Sequence, residues 1–473
     1  MVSSFLLIAA LSADFTKETG EIRPELHSSG FGPSICNQTV QDLADVKSMG
    51  FAAARTHDWA LINPNERVCD YFHIFPLMHL DAKDPKNYVF GPTDYLLKRT
   101  RDEAGLDIFY RLGTSIESSG GKVHFNSLIP EDFDKVAEVF AGTVRHYNCG
   151  WANGYKWNIR YWEIWNEPEG IENMWCPAEG VEVRAEKEFA VQVAECRAKF
   201  VKFFVTVLKR LKDEFGDSIK VGGPALCTYN TLWLNEILSA CKTAGVVPDF
   251  ISWHGYGNDP TRFCTESEQG RELLDGYGFK ECEMIVNEWH YFGDDDYTWS
   301  DMQQCSDPEV RKRVWTGPRS HNGIHSACFA LATLANLQRS KLSQAYYYGC
   351  RHDGSWGFKN QQQEKYKVFY ALQMFGGLVK RYQTMCASTS EGPYTTLAVK
   401  SADGAKKALL VVDYGGKNRE IVVEAKGVSS IGACTILDHA QDLKPCTARL
   451  SDGKLVLTKR DENSAAFCVE FDF

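Results

Sequence analysis

The sequence predicts an α/β protein: a (β/α)8 TIM barrel carrying an accessory antiparallel β-sandwich. Three observations predict it. Short apolar strands alternate with helical stretches until eight strands have been counted, the pattern of a closed parallel barrel. From about residue 380 the hydrophobic period changes to two, with Gly- and Asp-rich turn signals between the runs. Two of the apolar strands run straight into an Asn-Glu pair, which places carboxylates where strands leave their sheet. The predicted organisation is an N-terminal strand in residues 1–24 that joins the sandwich, a barrel over 25–379 and the sandwich itself over 380–473.

In chain order, residues 26–33 lead into the first barrel strand, and Gln41 to Met49 has helical spacing closed by Gly50 as a C-cap. Phe51 to His57 is a short strand with its polar cluster at the C-terminal end. Thr93 to Glu103 reads as a helix, Asp107 to Arg111 as a strand and Pro130 to His146 as a helix. The strand beginning at Arg160 ends in Asn166-Glu167-Pro168. Proline cannot donate to a sheet ladder and biases the preceding residue toward extended geometry, so Glu167 is expected at the strand's exit. Glu186 to Phe215 is a long amphipathic helix, Lys220 to Gly222 a strand and Leu232 to Ala244 a helix. Phe250 to Tyr256 is a strand ending in His254-Gly-Tyr256, and the Cys282 strand ends in Asn287-Glu288-Trp289. A helix over 322–339, a strand over 344–349 that runs on toward Trp356, and a last helix from Lys365 to Phe375 complete the barrel. Beyond it, Thr395 to Lys400, Ala408 to Asp413, Glu420 to Ala425, Ala433 to Leu437, Arg449 to Thr458 and Ala465 to Phe473 alternate apolar and polar residues.

Composition narrows the partners. The net charge of -10 comes with no basic run, so nucleic acid is not an expected partner. No apolar run is long enough for a transmembrane helix, so no membrane partner is expected. The 12 Trp and 20 Tyr supply amphipathic rings suited to sugar faces as well as to cores. Sixteen cysteines are spread singly from Cys36 to Cys468 without a Cys-x-x-Cys, which fits scattered thiols in a reducing, cytoplasmic compartment. Phe5 to Ala13 is apolar and signal-like but has no preceding Lys or Arg; a strand is the preferred reading, and secretion the alternative. Oligomeric state is not legible.

Hydrolysis of a glycosidic bond needs one carboxylic acid to protonate the leaving oxygen and one carboxylate on the other side of the ring. Glu167 and Glu288, closing strands four and seven of a barrel, are placed to supply both. Two carboxyls so close do not both ionise easily; the one beside an arginine stays charged and the other keeps its proton for the leaving group.

The run Trp162-Glu-Ile-Trp-Asn-Glu-Pro168 resembles the acid/base motif of the retaining glycoside hydrolases of clan A. The placement of Arg55-Thr-His57, His254-Gly-Tyr256 and Asn287-Glu288-Trp289 resembles glycoside hydrolase family 39, the family of β-xylosidases and α-L-iduronidases. The resemblance implies Glu167 as general acid/base and Glu288 as nucleophile, with retention of anomeric configuration and no cofactor. It also implies that Asn166 holds the sugar 2-hydroxyl, that Arg55 keeps Glu288 ionised and that Tyr256 hydrogen-bonds the nucleophile. His57, His254 and Trp356 would line the subsite of the reacting sugar, with Trp289 also counted among the substrate-contacting positions. The implied partner is an oligosaccharide or glycoside, cleaved by an exo-acting enzyme on a β-linked sugar. An endo-acting β-glycanase, a silent glycan-binding barrel and a metal-dependent hydrolase are the alternatives.

Other polar features have simpler readings. Glu163 is expected to share a face with Trp165 and Glu167, and to be a structural partner of an arginine. His321 and His325 have the i, i+4 spacing of a zinc site but lack the glutamate of hydrolytic zinc helices, so no metal is expected there. Asp294 to Asp296 lacks a calcium-loop pattern, and Gly222-Gly223-Pro224 is too short for a phosphate loop.

Overall fold

The computed structural model describes residues 11–30, 40–57, 59, 67–115, 129–169, 186–293, 301, 307–350, 356–360 and 363–472. Residues 1–10, the acidic stretch Asp294 to Asp296 and residues 351–355 lie outside them. The first strand, β1 (Leu11–Glu21), is not part of the barrel. The closed barrel is built from β2 (Ser28–Gly30), β3 (Ala53–Arg55), β4 (Asp107–Leu112), β5 (Tyr161–Ile164), β6 (Lys220–Leu226), β7 (Phe250–Gly257), β8 (Glu283–Tyr291) and β9 (Gln344–Tyr348), all parallel and in sequence order. These are the eight strands the sequence predicts. β9 closes the ring by pairing with β2, Ser29 opposite Tyr347.

The barrel interior is filled rather than hollow. Phe109, Phe250, Ile285 and Tyr346 project inward from four strands and form a buried apolar floor. Because side chains alternate along a strand, the next inward positions on the C-terminal side are Arg55, Glu163, Ser252 and Asn287, all fully buried. The polar layer therefore sits directly on the apolar one. A cavity of about 420 Å³ lies at the opposite, N-terminal end, lined by Ala53, Asp107, Tyr161 and Gln344, on the far side of that floor.

The outer ring follows the sequence closely. The helix Glu186–Phe215 buries Phe200, Phe203, Phe204, Val207, Leu208 and Leu211, a stripe at three- and four-residue spacing. The helix predicted from Pro130 begins at Phe133, because Asp132 caps it by accepting from the Lys135 N–H at 2.9 Å. A helix at Arg262–Tyr277 was not anticipated. Its buried positions include Glu266, Ser267 and Gly270 beside Phe263 and Leu274, so its inward face carries too few apolar residues to show a period. The helix Ile324–Leu337 is buried on every side, since it lies between the barrel and the C-terminal sheet. No described helix is long and apolar enough to cross a membrane.

The C-terminal unit is one curled ten-stranded sheet. It contains β10 (Thr384–Ser388), β11 (Tyr394–Lys400), β12 (Lys407–Asp413), β13 (Glu420–Lys426), β14 (Ser430–Leu437), β15 (Lys444–Pro445), β16 (Ala448–Ser451), β17 (Lys454–Thr458) and β18 (Ala465–Asp472). β1 is the tenth strand: it pairs antiparallel with β10 and parallel with β13. The stretch read as one strand over Arg449 to Thr458 is the β16–β17 hairpin, turned at Asp452 and Gly453, both at positive φ. β12 is apolar on both faces for a reason: Leu409 and Val411 fill the inside of the curl, whereas Ala408, Leu410 and Val412 join the barrel's core cluster.

Candidate active site

Two local departures from regular strand geometry build the site. After Ile164 the chain kinks, with Trp165 at φ 77 and Glu167 at φ 46, a left-handed conformation that side chains rarely adopt. On the other side of the barrel the pairing of β8 shifts register against both neighbours, between Trp253 and His254 and between Val286 and Trp289. Such a bulge lets two consecutive residues point inward. Asn287 donates from Nδ2 to Glu163 Oε1 at 2.7 Å, and Glu288 reaches Arg55.

Arg55 organises the cluster from beneath. Its Nε donates to Glu163 Oε2 at 2.6 Å, Nη1 to Glu288 Oε1 at 2.8 Å and Nη2 to Asn166 Oδ1 at 2.7 Å. Burial works against its charge, but Glu163 and Glu288 outweigh that cost and hold the guanidinium more firmly protonated. Since Arg55 can only donate, it also fixes which end of the Asn166 amide is oxygen. The expected structural role for Glu163 matches this geometry: its other oxygen accepts from Ser252 Oγ at 2.6 Å, and Ser252 Oγ in turn accepts from the Ala225 N–H.

Glu288 is nearly closed off, with 5% of its side chain exposed, whereas Glu167 is 21% exposed. Tyr256 donates its hydroxyl to Glu288 Oε2 at 2.7 Å, and His57 Nε2 lies 3.4 Å from Oε1. Burial alone would push the Glu288 carboxyl up; His254, His57 and Arg55, together with the Tyr256 hydrogen bond, hold it below the usual carboxylate range. His254 Nδ1 lies 2.7 Å from Glu167 Oε1 and 3.4 Å from Glu288 Oε2. Burial opposes its charge, but the two carboxylates raise its basicity. One oxygen of Glu167, one of Glu288 and a ring nitrogen of His254 all lie within 4.8 Å of one another. These three are the described groups whose spacing suits a cation, and the same spacing suits a pair of reacting carboxyls bridged by an imidazole.

Trp356 stands at the edge, half-buried, with Tyr256 at 5.5 Å and Tyr348 at 5.9 Å between ring centres. Behind it His290 and His321 stack at 4.1 Å, and burial keeps both rings neutral by pulling their basicity down. Eight of the nine predicted site residues thus fall in one cluster at the C-terminal ends of the strands. Trp289 is the exception. It is fully buried on the outer side of β8 against Phe263, Phe329 and Tyr347, because strand alternation turns it away from its neighbour Glu288. Trp165 is a second correction: the kink turns it out of the face it was expected to share with Glu163, onto Tyr71 and Phe203. His321 and His325 do not converge either, since His325 Nδ1 bonds Ser464 Oγ at 2.8 Å and its ring stacks on Tyr414.

Three participants escaped sequence reading. Ser252 had no motif around it, though its place two residues before His254 sets it on the same inward face. Tyr348 sits at an inward position at the end of β9, a signal that alternation from Tyr346 gives. Glu169 is the third: burial, with the nearby Glu167 charge adding to it, pushes its carboxyl up to about 8, and its Oε2 is shut off from water without a hydrogen-bond partner among the described residues.

The architecture is a (β/α)8 barrel with this carboxylate cluster at the C-terminal ends of its strands, and it resembles the barrels of glycoside hydrolases. No protein-family model matches it. It is 27% identical over 223 residues to a β-xylosidase of Caldicellulosiruptor saccharolyticus, covering 45% of this chain and 38% of that protein. With a β-xylosidase of Geobacillus stearothermophilus it shares 28% identity over 129 residues, 27% of this chain and 21% of the relative. The matches thus span well under half of these relatives. Among solved structures, a glucosidase from Croceicoccus marinus superposes with a TM-score of 0.72 at 19% identity, covering 99% of both chains. An α-L-arabinofuranosidase from Thermotoga maritima superposes with a TM-score of 0.63 at 12% identity, covering 98% and 100%. The chain resembles clan A glycoside hydrolases and, in sequence, their xylosidases.

Proposed function

We propose that the chain is a retaining glycosidase, with Glu167 as general acid/base and Glu288 as nucleophile. The observation that carries this reading is the carboxylate pair itself: two oxygens within 4.8 Å, one on a carboxylate held ionised by Arg55 and Tyr256. Retaining enzymes keep their two carboxyls about 5 Å apart, whereas inverting enzymes need about 6.5–9.5 Å to fit a water. The similarity to β-xylosidases supports a β-linked pentoside as substrate and, more finely, the resemblance to family 39.

In the first step Glu288 attacks the anomeric carbon while Glu167 protonates the departing oxygen. A covalent glycosyl-enzyme forms and the aglycone leaves. Glu167, now a carboxylate, takes a proton from the water that hydrolyses this intermediate. His254 bridges the two carboxyls and passes between them the electrostatic consequence of each proton transfer. Asn166, fixed by Arg55, presents its amide N–H side to the sugar 2-hydroxyl, a bond that strengthens as positive charge builds at the adjacent carbon. Trp356 supplies an apolar face for the ring. Exo action on a terminal sugar is part of the same proposal.

The test is hydrolysis of a panel of aryl β-D-xylosides, glucosides and galactosides and aryl α-L-arabinosides and iduronides, beside Glu167→Gln and Glu288→Gln. Turnover of one member that both substitutions abolish establishes the reading and names the sugar. Absence of turnover on the panel and on xylan, with binding retained, would instead make the chain a glycan-binding barrel.

A further inference from the structure

Outside the site, one pair of reactive side chains is placed for chemistry that the glycosidase reading does not use. Cys434 lies on β14 and Cys446 directly follows β15. The antiparallel register pairs Thr435 with Pro445 and Ile436 with Lys444, so the next rung sets Cys434 opposite Cys446. The Cys446 N–H donates to the Cys434 carbonyl at 2.9 Å, which continues the ladder to that rung. Residues directly opposite in an antiparallel pair have Cα atoms about 4.5–5.5 Å apart, inside the roughly 4.4–6.8 Å that a disulfide spans. The two Sγ atoms lie 2.6 Å apart, on the same side of the ladder.

We propose that Cys434 and Cys446 form a disulfide bond that staples the short edge strand β15 to β14. β15 has only two residues and ends the sheet, so few ladder bonds hold it without the staple. The pair is also reachable. Cys434 is buried, but Cys446 is half-buried and lines a surface cavity of about 330 Å³ together with Gln441, Thr447 and Arg449. Cys446, the more exposed of the two, is the attacking sulfur: the contact with the Cys434 sulfur favours its thiolate and makes it more acidic than an ordinary thiol.

The oxidant is a small disulfide of the glutathione class. The Cys446 thiolate attacks one of its sulfurs, breaking that S–S bond and expelling one small thiolate, which takes up the proton Cys446 has lost. Cys434 then gives up its proton and attacks the Cys446 sulfur of the mixed disulfide, releasing the second small thiol. One protein S–S bond forms, two S–H bonds are lost, and both electrons leave on the two reduced small thiols.

The experiment uses the full chain and Cys446→Ser, each equilibrated against glutathione and glutathione disulfide mixtures, alkylated and cleaved before aspartate. That cleavage separates residues 413–437 from 442–451, each carrying a single cysteine of the pair. In oxidised wild-type protein the two fragments are expected to travel as one species two hydrogens lighter than their sum. Two fewer thiols than in the reduced protein should titrate, and the melting temperature should exceed that of the reduced form. Cys446→Ser should melt at the same temperature in every mixture. Full alkylation of both cysteines in the most oxidising mixture, or linkage of either to a different cysteine, would overturn the proposal.

Discussion

Glu163 and Glu288 share one guanidinium: Arg55 binds the first through Nε at 2.6 Å and the second through Nη1 at 2.8 Å, with the arginine fully buried between them. One carboxylate is spent on structure and the other is available for chemistry. The difference lies in their other oxygens. That of Glu163 accepts from both Ser252 and Asn287, whereas that of Glu288 faces Tyr256 and His254 at the barrel mouth.

Removing the Glu163 charge should therefore destabilise the fold and not merely silence the site. Glu163→Gln breaks one arm of a buried ion pair, a change that costs on the order of 3–5 kcal/mol. Thermal melts should show a large drop for Glu163→Gln. Glu167→Gln, at a half-buried position, should melt close to wild type while losing about 10²–10⁴-fold in kcat/KM on substrates with poor leaving groups.

Tyr256→Phe removes a hydrogen bond that favours the ionised form of Glu288, so the carboxyl's pKa should rise. The acid limb of the kcat/KM profile, set by protonation of the nucleophile, is expected to move to higher pH than in wild type. An unmoved limb would mean that another group governs it.

Glu169 gives a stability signature. Its carboxyl is raised to about 8 in the folded chain from an ordinary 4.5, so the folded state keeps a proton that the unfolded chain releases. Folding is opposed increasingly as pH climbs through that window, by a constant amount above it and not at all below it. Glu169→Gln carries no such penalty. Its melting temperature relative to wild type should be unchanged at about pH 4, higher at pH 6 and highest at pH 8 and above, as melts across that range would show.

The spacing of Glu167, His254 and Glu288 also suits a cation, and the mechanism instead assigns Glu167 to proton transfer, Glu288 to attack and His254 to bridging the two. Dialysis against a chelator should leave kcat and KM unchanged. Loss of activity that a divalent ion restores would point to metal-assisted hydrolysis.

Much of this arrangement was legible in the chain. Strand ends are where a barrel places its chemistry, so an apolar run stopping at Asn166-Glu167-Pro168 locates a carboxylate without any knowledge of its partners. Alternation then separates inward from outward residues, and it served for Glu163, whereas Arg55 was placed by the family resemblance. It failed at Trp165 because the strand breaks its period there by a left-handed kink, and the β8 bulge that brings both Asn287 and Glu288 inward and leaves Trp289 outside likewise has no local sequence signal such as glycine. The helix Arg262–Tyr277 was missed because its buried face holds a charge paired to Trp253, Glu266, where a leucine would have shown the period. The perturbed Glu169 depends on burial, which sequence does not state.

The central claim is that Glu288 attacks and Glu167 assists, and the first-formed product reports on it most directly. Proton NMR recorded immediately after enzyme is added to the substrate that the aryl glycoside panel identifies gives the product's anomer before mutarotation mixes it. Double displacement predicts the same anomer as the substrate. Release of the opposite anomer would contradict the account, since it requires direct attack by water and leaves Glu288 no covalent role.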